Sequence, residues 1–139
     1  MKLLLDTSVM VALRRGDAPV RRALEARRGT ADEIGISRLT EYELLLGAFF
    51  LWKKYNDARE FVWLDDAFSW LKIYEVDGEV ARAAAELQAN ALNGGEPLPD
   101  MDLLVALSAK AGSELLTLDR DQLKMKAVLK SKGVTASAP

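Results

Sequence analysis

Met1-Lys2-Leu3-Leu4-Leu5-Asp6-Thr7-Ser8-Val9-Met10 opens the chain. Its apolar run, Lys2 to Leu5, stops at an aspartate and gives way to a helical pattern. A run of this length, so bounded, suits a strand buried on both faces of a parallel sheet. Ligands of open parallel sheets sit beyond the carboxyl ends of the strands, where the next helices begin. Asp6 therefore stands at the mouth of a cleft and offers it a carboxylate. A plainer reading is that Asp6 or Ser8 caps the following helix. The choice depends on whether the chain delivers further carboxylates to the same rim.

Working outward, the pattern repeats. Val9 to Leu13 is a short apolar helix broken at Gly16-Asp17, and Asp17 caps a second helix with Pro19 in its first turn. Gly29 to Glu33 is a turn, and Glu33-Ile34-Gly35-Ile36 is a second strand ending at Ser37. From Leu39, the residues Leu44, Leu45, Ala48, Phe49 and Trp52 recur at helical spacing, with Gly47 as an interruption. Asn56-Asp57 opens a further helix through Phe61, Leu64 and Phe68. Lys72 to Val76 reads as a third strand, and Asp77-Gly78 caps a helix from Glu79 to about Leu92. Asn93-Gly94-Gly95-Glu96-Pro97 is a loop, followed by a helix from about Met101 to Ala111, with Gly112 as its C′ residue. Glu114 to Leu118 is a fourth strand, Asp119 opens a helix reaching about Lys130, and Val134-Thr135 forms a weak fifth strand. Strands alternating with helices imply right-handed crossovers and a parallel sheet covered on both sides. The expected fold is a three-layer α/β/α sandwich around a mostly parallel sheet of about five strands, in a single domain spanning residues 1–139. Strand order is not legible from spacing.

Composition narrows the chemistry. At 139 residues the chain has the length of one domain, and half of it is hydrophobic, enough for a core without disulfides or structural metal. It contains no cysteine and no histidine. Thiolate catalysis, imidazole bases, Ser-His pairs and histidine metal sites are all excluded. The apolar start is too short for a signal peptide and no stretch has the length of a membrane span, so a cytoplasmic protein is expected. A formal net charge of −2 gives no global attraction to nucleic acid, which must then be held by local basic patches or metal ions.

Four acidic residues fall where this architecture brings them together. Asp6 ends the first strand, Glu43 lies in the first turn of the helix after the second, Asp102 in the first turn of the helix after the Gly-Gly loop, and Asp119 ends the fourth strand. Clustered carboxylates cannot all stay ionised without compensation. Hard divalent cations provide it and prefer oxygen ligands. Such a centre polarises a phosphoryl oxygen, lowers the pKa of bound water and orients in-line attack. Capping competes residue by residue. Thr40-Glu41-Tyr42-Glu43 has the form of a capping box, Asp119-Arg120-Asp121-Gln122 is similar, and Asp100 and Asp102 suit the positive end of a helix dipole.

The segments Leu5-Asp6-Thr7-Ser8, Ile36 to Gly47 with its Thr40-x-x-Glu43-Leu44-x-x-Gly47 pattern, Asp102-Leu103-Leu104-Val105-Ala106, and Leu116-Thr117-Leu118-Asp119 together resemble PIN-domain ribonucleases, most of all the VapC-type toxins of toxin–antitoxin pairs. Each segment alone is weak, but the ordered set covers essentially the whole chain. The resemblance implies Mg²⁺- or Mn²⁺-dependent cleavage of single-stranded or looped RNA. It places the acids at Asp6, Glu43 (rather than Glu41), Asp102 and Asp119, with Asp121 as a nearby alternate and Asp100 competing for the third place. It also implies supporting hydrogen bonds from Ser8 and Thr117, a homodimer and an antitoxin partner. Val105-Ala106-Leu107 departs from the family's usual Ile-Ala-Ala, a packing change.

Arg14-Arg15, Arg21-Arg22, Arg27-Arg28, Lys53-Lys54 and Lys124, Lys126, Lys130 and Lys132 are candidate phosphate contacts, or simply solvated helix faces. Phe49, Phe50, Trp52, Tyr55, Phe61, Trp63, Phe68 and Trp70 exceed what one buried stripe needs and suit an interface. Two other classes compete. A non-catalytic PIN-like interaction module would keep the fold without its metals. A haloacid-dehalogenase-type phosphatase also begins with a strand ending in aspartate, but needs a second aspartate at position 8, where this chain has Ser8.

Overall fold

A computed structural model describes residues 1–139. The order of elements is β1 (Lys2–Leu5), α1 (Thr7–Arg14), α2 (Ala18–Arg28), β2 (Glu33–Ser37), α3 (Arg38–Tyr55), α4 (Arg59–Trp70), β3 (Lys72–Tyr74), α5 (Gly78–Asn93), α6 (Asp100–Leu107), β4 (Ser113–Leu116), α7 (Arg120–Lys124), α8 (Lys126–Lys130) and β5 (Val134–Ser137). The five strands form one parallel sheet in the order β3-β2-β1-β4-β5. β1 is central, and Leu3, Leu4 and Leu5 are fully buried. Each such leucine contributes roughly 1.5–3 kcal/mol of burial.

Alternation along the strands sorts the core into two clusters. Leu3, Leu5, Ile36 and Leu116 face α1, α2 and α4, where Val9, Met10, Val20, Leu24 and Ala67 meet them. Leu4, Leu115, Val134 and Ala136 face α5, α6 and α8, packing on Val80, Ala84, Leu87, Leu103, Ala106 and Leu129. The result is the expected three-layer sandwich. Helix α3 leaves the sheet and lies against α4, where the rings of Phe49 and Phe61 meet edge to face at 4.9 Å. No helix is long and apolar enough to cross a membrane.

The connectivity decides where ligands go. From β1 the chain builds outward through β2 and β3, then returns to place β4 on the other side of β1. The reversal between β1 and β4 is a topological switch point, which opens a crevice at the carboxyl ends of those strands. Asp6 leaves β1 at that crevice, and Thr117 to Asp119 leave β4 beside it.

Several local expectations are corrected. Ser37, not Thr40, caps α3, accepting from the Leu39 amide at 3.2 Å. The helix therefore starts earlier, Thr40 is buried inside it, and Glu43 lies in its second turn rather than its first. Helix α6 ends at Leu107 instead of Ala111. Lys110 takes a left-handed conformation at φ 66°, and Gly112, at φ 81°, shapes the turn into β4 rather than capping the helix. β4 stops at Leu116, so Asp119 lies three residues beyond the strand. The single helix expected up to Lys130 is two short helices that meet at Met125. Buried Gln122, Met125 and Leu129 keep helical spacing across the junction, so periodicity hides the break.

Candidate metal centre

Asp6 is the only charged residue among the buried side chains, at 4 % exposure. Its position follows from the strand that precedes it. The Asp6 amide donates to Leu116 O at 3.0 Å, continuing the pairing of β1 with β4, while its carbonyl accepts from Val9 and Met10 to start α1. The Asp6 side chain makes no cap to α1. Its Oδ2 instead accepts from Ser8 Oγ and Thr117 Oγ1, each at 2.8 Å. Both hydroxyls are themselves fixed. Ser8 Oγ accepts from the Leu118 amide and Thr117 Oγ1 from the Asp119 amide, both at 3.0 Å. One carboxylate oxygen is thus locked in a buried network that spans β1 and the segment after β4. Oδ1 takes no part in it and is not sealed from solvent.

Glu43 reaches the rim from α3. Its Oε1 accepts from Thr7 Oγ1 at 3.0 Å, and that hydroxyl lies 2.9 Å from buried Thr40 Oγ1. Glu41 is drawn away by an ion pair to Arg38 at 2.7 Å. Asp102 is the third residue of α6, in its first turn. Asp100 points elsewhere, with Oδ1 accepting from Gln88 Nε2 at 2.7 Å. Asp119 caps α7 through Oδ1, which accepts from the Asp121 amide at 2.8 Å. Asp102, Asp119 and Asp121 each offer an oxygen, and these oxygens lie within 4.8 Å of one another.

Electrostatics ties the set together. Asp102 is pushed up to about 6, first by desolvation and then by the negative charges of Asp119, Asp6, Asp121 and Glu43. Every named carboxylate therefore acts on one group. Compensating cations are scarce: none of Asp6, Glu43, Asp102 and Asp119 forms an ion pair, and Lys124 comes only to 4.0 Å from Asp121. The donor set is all oxygen, partly desolvated and short of positive charge. Those are the properties that suit a hard divalent cation.

The PIN domain model matches residues 3–128. This chain belongs to the PIN domain family. No functionally curated protein matches the chain. Among solved structures, VapBC2 of Rickettsia felis, bound to a DNA fragment from its promoter, is similar at a TM-score of 0.80 and 23% identity, over 99% of this chain and 98% of that one. VapBC-1 of nontypeable Haemophilus influenzae gives 0.75 at 16% identity, with 99% and 98% covered. VapBC-5 of Mycobacterium tuberculosis, from the VapBC family of toxin–antitoxin systems, gives 0.70 at 20%, with the same coverage. At these identities the matches establish a shared PIN fold.

Two features of this PIN domain had no clear signal in sequence. Thr40 looks like a helix cap and Thr7 like an ordinary helix residue, yet they brace Glu43. Gln122 looks like the reciprocal member of a capping box opened by Asp119. Instead it is fully buried, and its Nε2 donates to the carbonyl of Asp102 at 2.8 Å. The only hint is spacing: Gln122 stands three and seven residues before Met125 and Leu129, on the same helical stripe.

Proposed function

We propose that this PIN domain is a metal-dependent endoribonuclease that cleaves single-stranded or looped RNA, and that it is the toxin of a toxin–antitoxin pair. The observation that carries this reading is the convergence of four carboxylates on a fifth, Asp102, at the β1/β4 switch point, with no ion pair to Asp6, Glu43, Asp102 or Asp119. Asp6, Asp102, Asp119 and Glu43 would hold Mg²⁺ or Mn²⁺, with Asp121 close enough to join. Bound there, the ion would supply the charge that polarises a phosphoryl oxygen and acidifies water. The chain's own contribution is orientation. Ser8 and Thr117 fix Oδ2 of Asp6, leaving Oδ1 for the centre. Thr7 holds Glu43 in place. Asp119 accepts the Asp121 amide with one oxygen, capping α7, and keeps the other free.

The partners follow from the same reading. The structural neighbours are VapBC complexes, which supports an antitoxin partner here. The face of α3 that leaves the sheet exposes Tyr42, Leu46, Phe49 and Phe50; an apolar patch of this kind suits the interface of a homodimer. Folding of the entire chain as one PIN-like domain is part of the proposal. The decisive experiment compares wild type with Asp6→Asn on single-stranded RNA in Mg²⁺ or Mn²⁺. The variant should lose cleavage while retaining the wild-type circular dichroism spectrum. Cleavage at the parental rate would overturn the assignment.

A further inference from the structure

Gln122 is the one side chain whose environment the fold does not account for. It is fully buried on α7, and its Oε1 is a buried polar atom with no hydrogen-bond partner. An unpaired buried acceptor is destabilising, and each one calls for a reason. An apolar residue of similar volume would remove that defect. What it would also remove is the single bond the amide does make, from Nε2 to the carbonyl of Asp102. That carbonyl belongs to the first turn of α6 and has a second lone pair to offer an outside donor. Gln122 itself follows directly on Asp121 in the five-residue helix that Asp119 caps. One amide therefore bridges α6, which carries Asp102, and α7 with its cap, which carry the other two members of the cluster.

We infer that Gln122 is a positioning residue for the metal centre: its carboxamide holds the Asp102 backbone against α7 so that the three carboxylates stay at cation-binding separation before any cation arrives. The inference rests on the metal reading proposed above. Like charges at this spacing repel, and without a tie the short helix α7 would relieve the repulsion by moving away. The stability sacrificed at Oε1 is the counterpart of keeping the cluster assembled, a trade characteristic of functional sites.

The test uses Gln122→Leu and Gln122→Met, two apolar side chains of similar size, so that failure of one to fold leaves the other. Mn²⁺ binding is measured by isothermal titration calorimetry under conditions where circular dichroism shows each protein folded, and melting is recorded separately in EDTA. Both variants should bind Mn²⁺ at least five-fold more weakly than wild type while melting at the same temperature or higher without metal. RNA cleavage should shift to higher Mn²⁺ concentration and recover at saturation. Unchanged Mn²⁺ affinity would overturn the positioning role alone. Metal-free melting that falls while Mn²⁺ affinity holds would make Gln122 a packing residue. Absence of Mn²⁺ binding by wild type at millimolar concentration would overturn the metal reading, and this inference with it.

Discussion

Replacing Asp102 with Asn should stabilise the metal-free protein, because the carboxylate is held against its own electrostatic preference. Asp102 is raised from 3.8 to about 6 by burial and by neighbouring carboxylates. At 1.36 kcal/mol per unit, that shift corresponds to about 3 kcal/mol for a fully shielded group. Asp102 is half-buried, so solvent screening reduces the figure to about 1–2 kcal/mol. The sign follows from proton linkage. Between pH 4 and 6 the folded state binds more protons at this position than the unfolded chain, so the Asp102 contribution to stability falls as pH rises through that window. Above it the penalty is complete, and below it there is none. Asp102→Asn should therefore gain about 1–2 kcal/mol over wild type at pH 7.5 in EDTA and nothing near pH 3.5. Urea unfolding at both pH values reads this directly. Adding millimolar Mn²⁺ at pH 7.5 should reverse the order, since only wild type gains binding energy linked to the native state. The carboxylates titrate as a coupled set, so the variant-minus-wild-type difference is the quantity to compare. A variant less stable than wild type at pH 7.5, or one that gains equally at both pH values, would refute the electrostatic account.

Two glycines probe the scaffold in opposite directions. A Cβ on Gly35 would stand 2.3 Å from the Lys72 carbonyl oxygen and 2.7 Å from the Tyr74 ring, so Gly35→Ala should force β2 and β3 apart and lower stability by about 2 kcal/mol in urea unfolding. Gly47 lies inside α3 with open space where a Cβ would be, so Gly47→Ala should raise stability by roughly 0.5–1 kcal/mol through helix propensity, read as a higher urea midpoint at unchanged slope.

The strands were legible because each is a short apolar run ended by a polar residue. Leu3 to Leu5 is fully buried, and its fate is set by composition alone. Strand order was not legible, since alternation of strand and helix fits several doubly wound orders; it is recorded in long-range pairs such as Leu4 with Leu115. Helix ends misled where a side chain had two possible jobs. Thr40 has the residue type of a cap, but Ser37, at the buried end of β2, takes that role and hydrogen-bonds across to Ser108 at 2.8 Å. Asp6, Asp102 and Asp119 could be singled out because each sits near a strand end or helix start, and Glu43 because it completes the Thr40-x-x-Glu43 pattern. Their supports could not, because Thr7, Thr40 and Gln122 act through contacts between elements distant in sequence.

That distinction also dissolves the rivalry between capping and chemistry. A carboxylate has two oxygens and about four lone-pair sites. Asp119 uses Oδ1 to cap α7, and this bond fixes a carboxylate that also lies close to those of Asp102 and Asp121. Asp6 shows the reverse arrangement: α1 needs no side-chain cap from it, so the hydroxyls of Ser8, in α1, and Thr117, just beyond β4, secure Oδ2 and leave Oδ1 uncommitted. In both cases a neutral hydrogen-bond donor takes one oxygen and no cation takes the other. A cap alone would explain Asp119, and burial with satisfied hydroxyls would explain Asp6. Neither explains why Asp102, three residues into a different helix and without any hydrogen bond to its side chain, is surrounded by four other carboxylates that raise its pKa. A ligand of opposite charge, as the proposed metal reading requires, would relieve that repulsion.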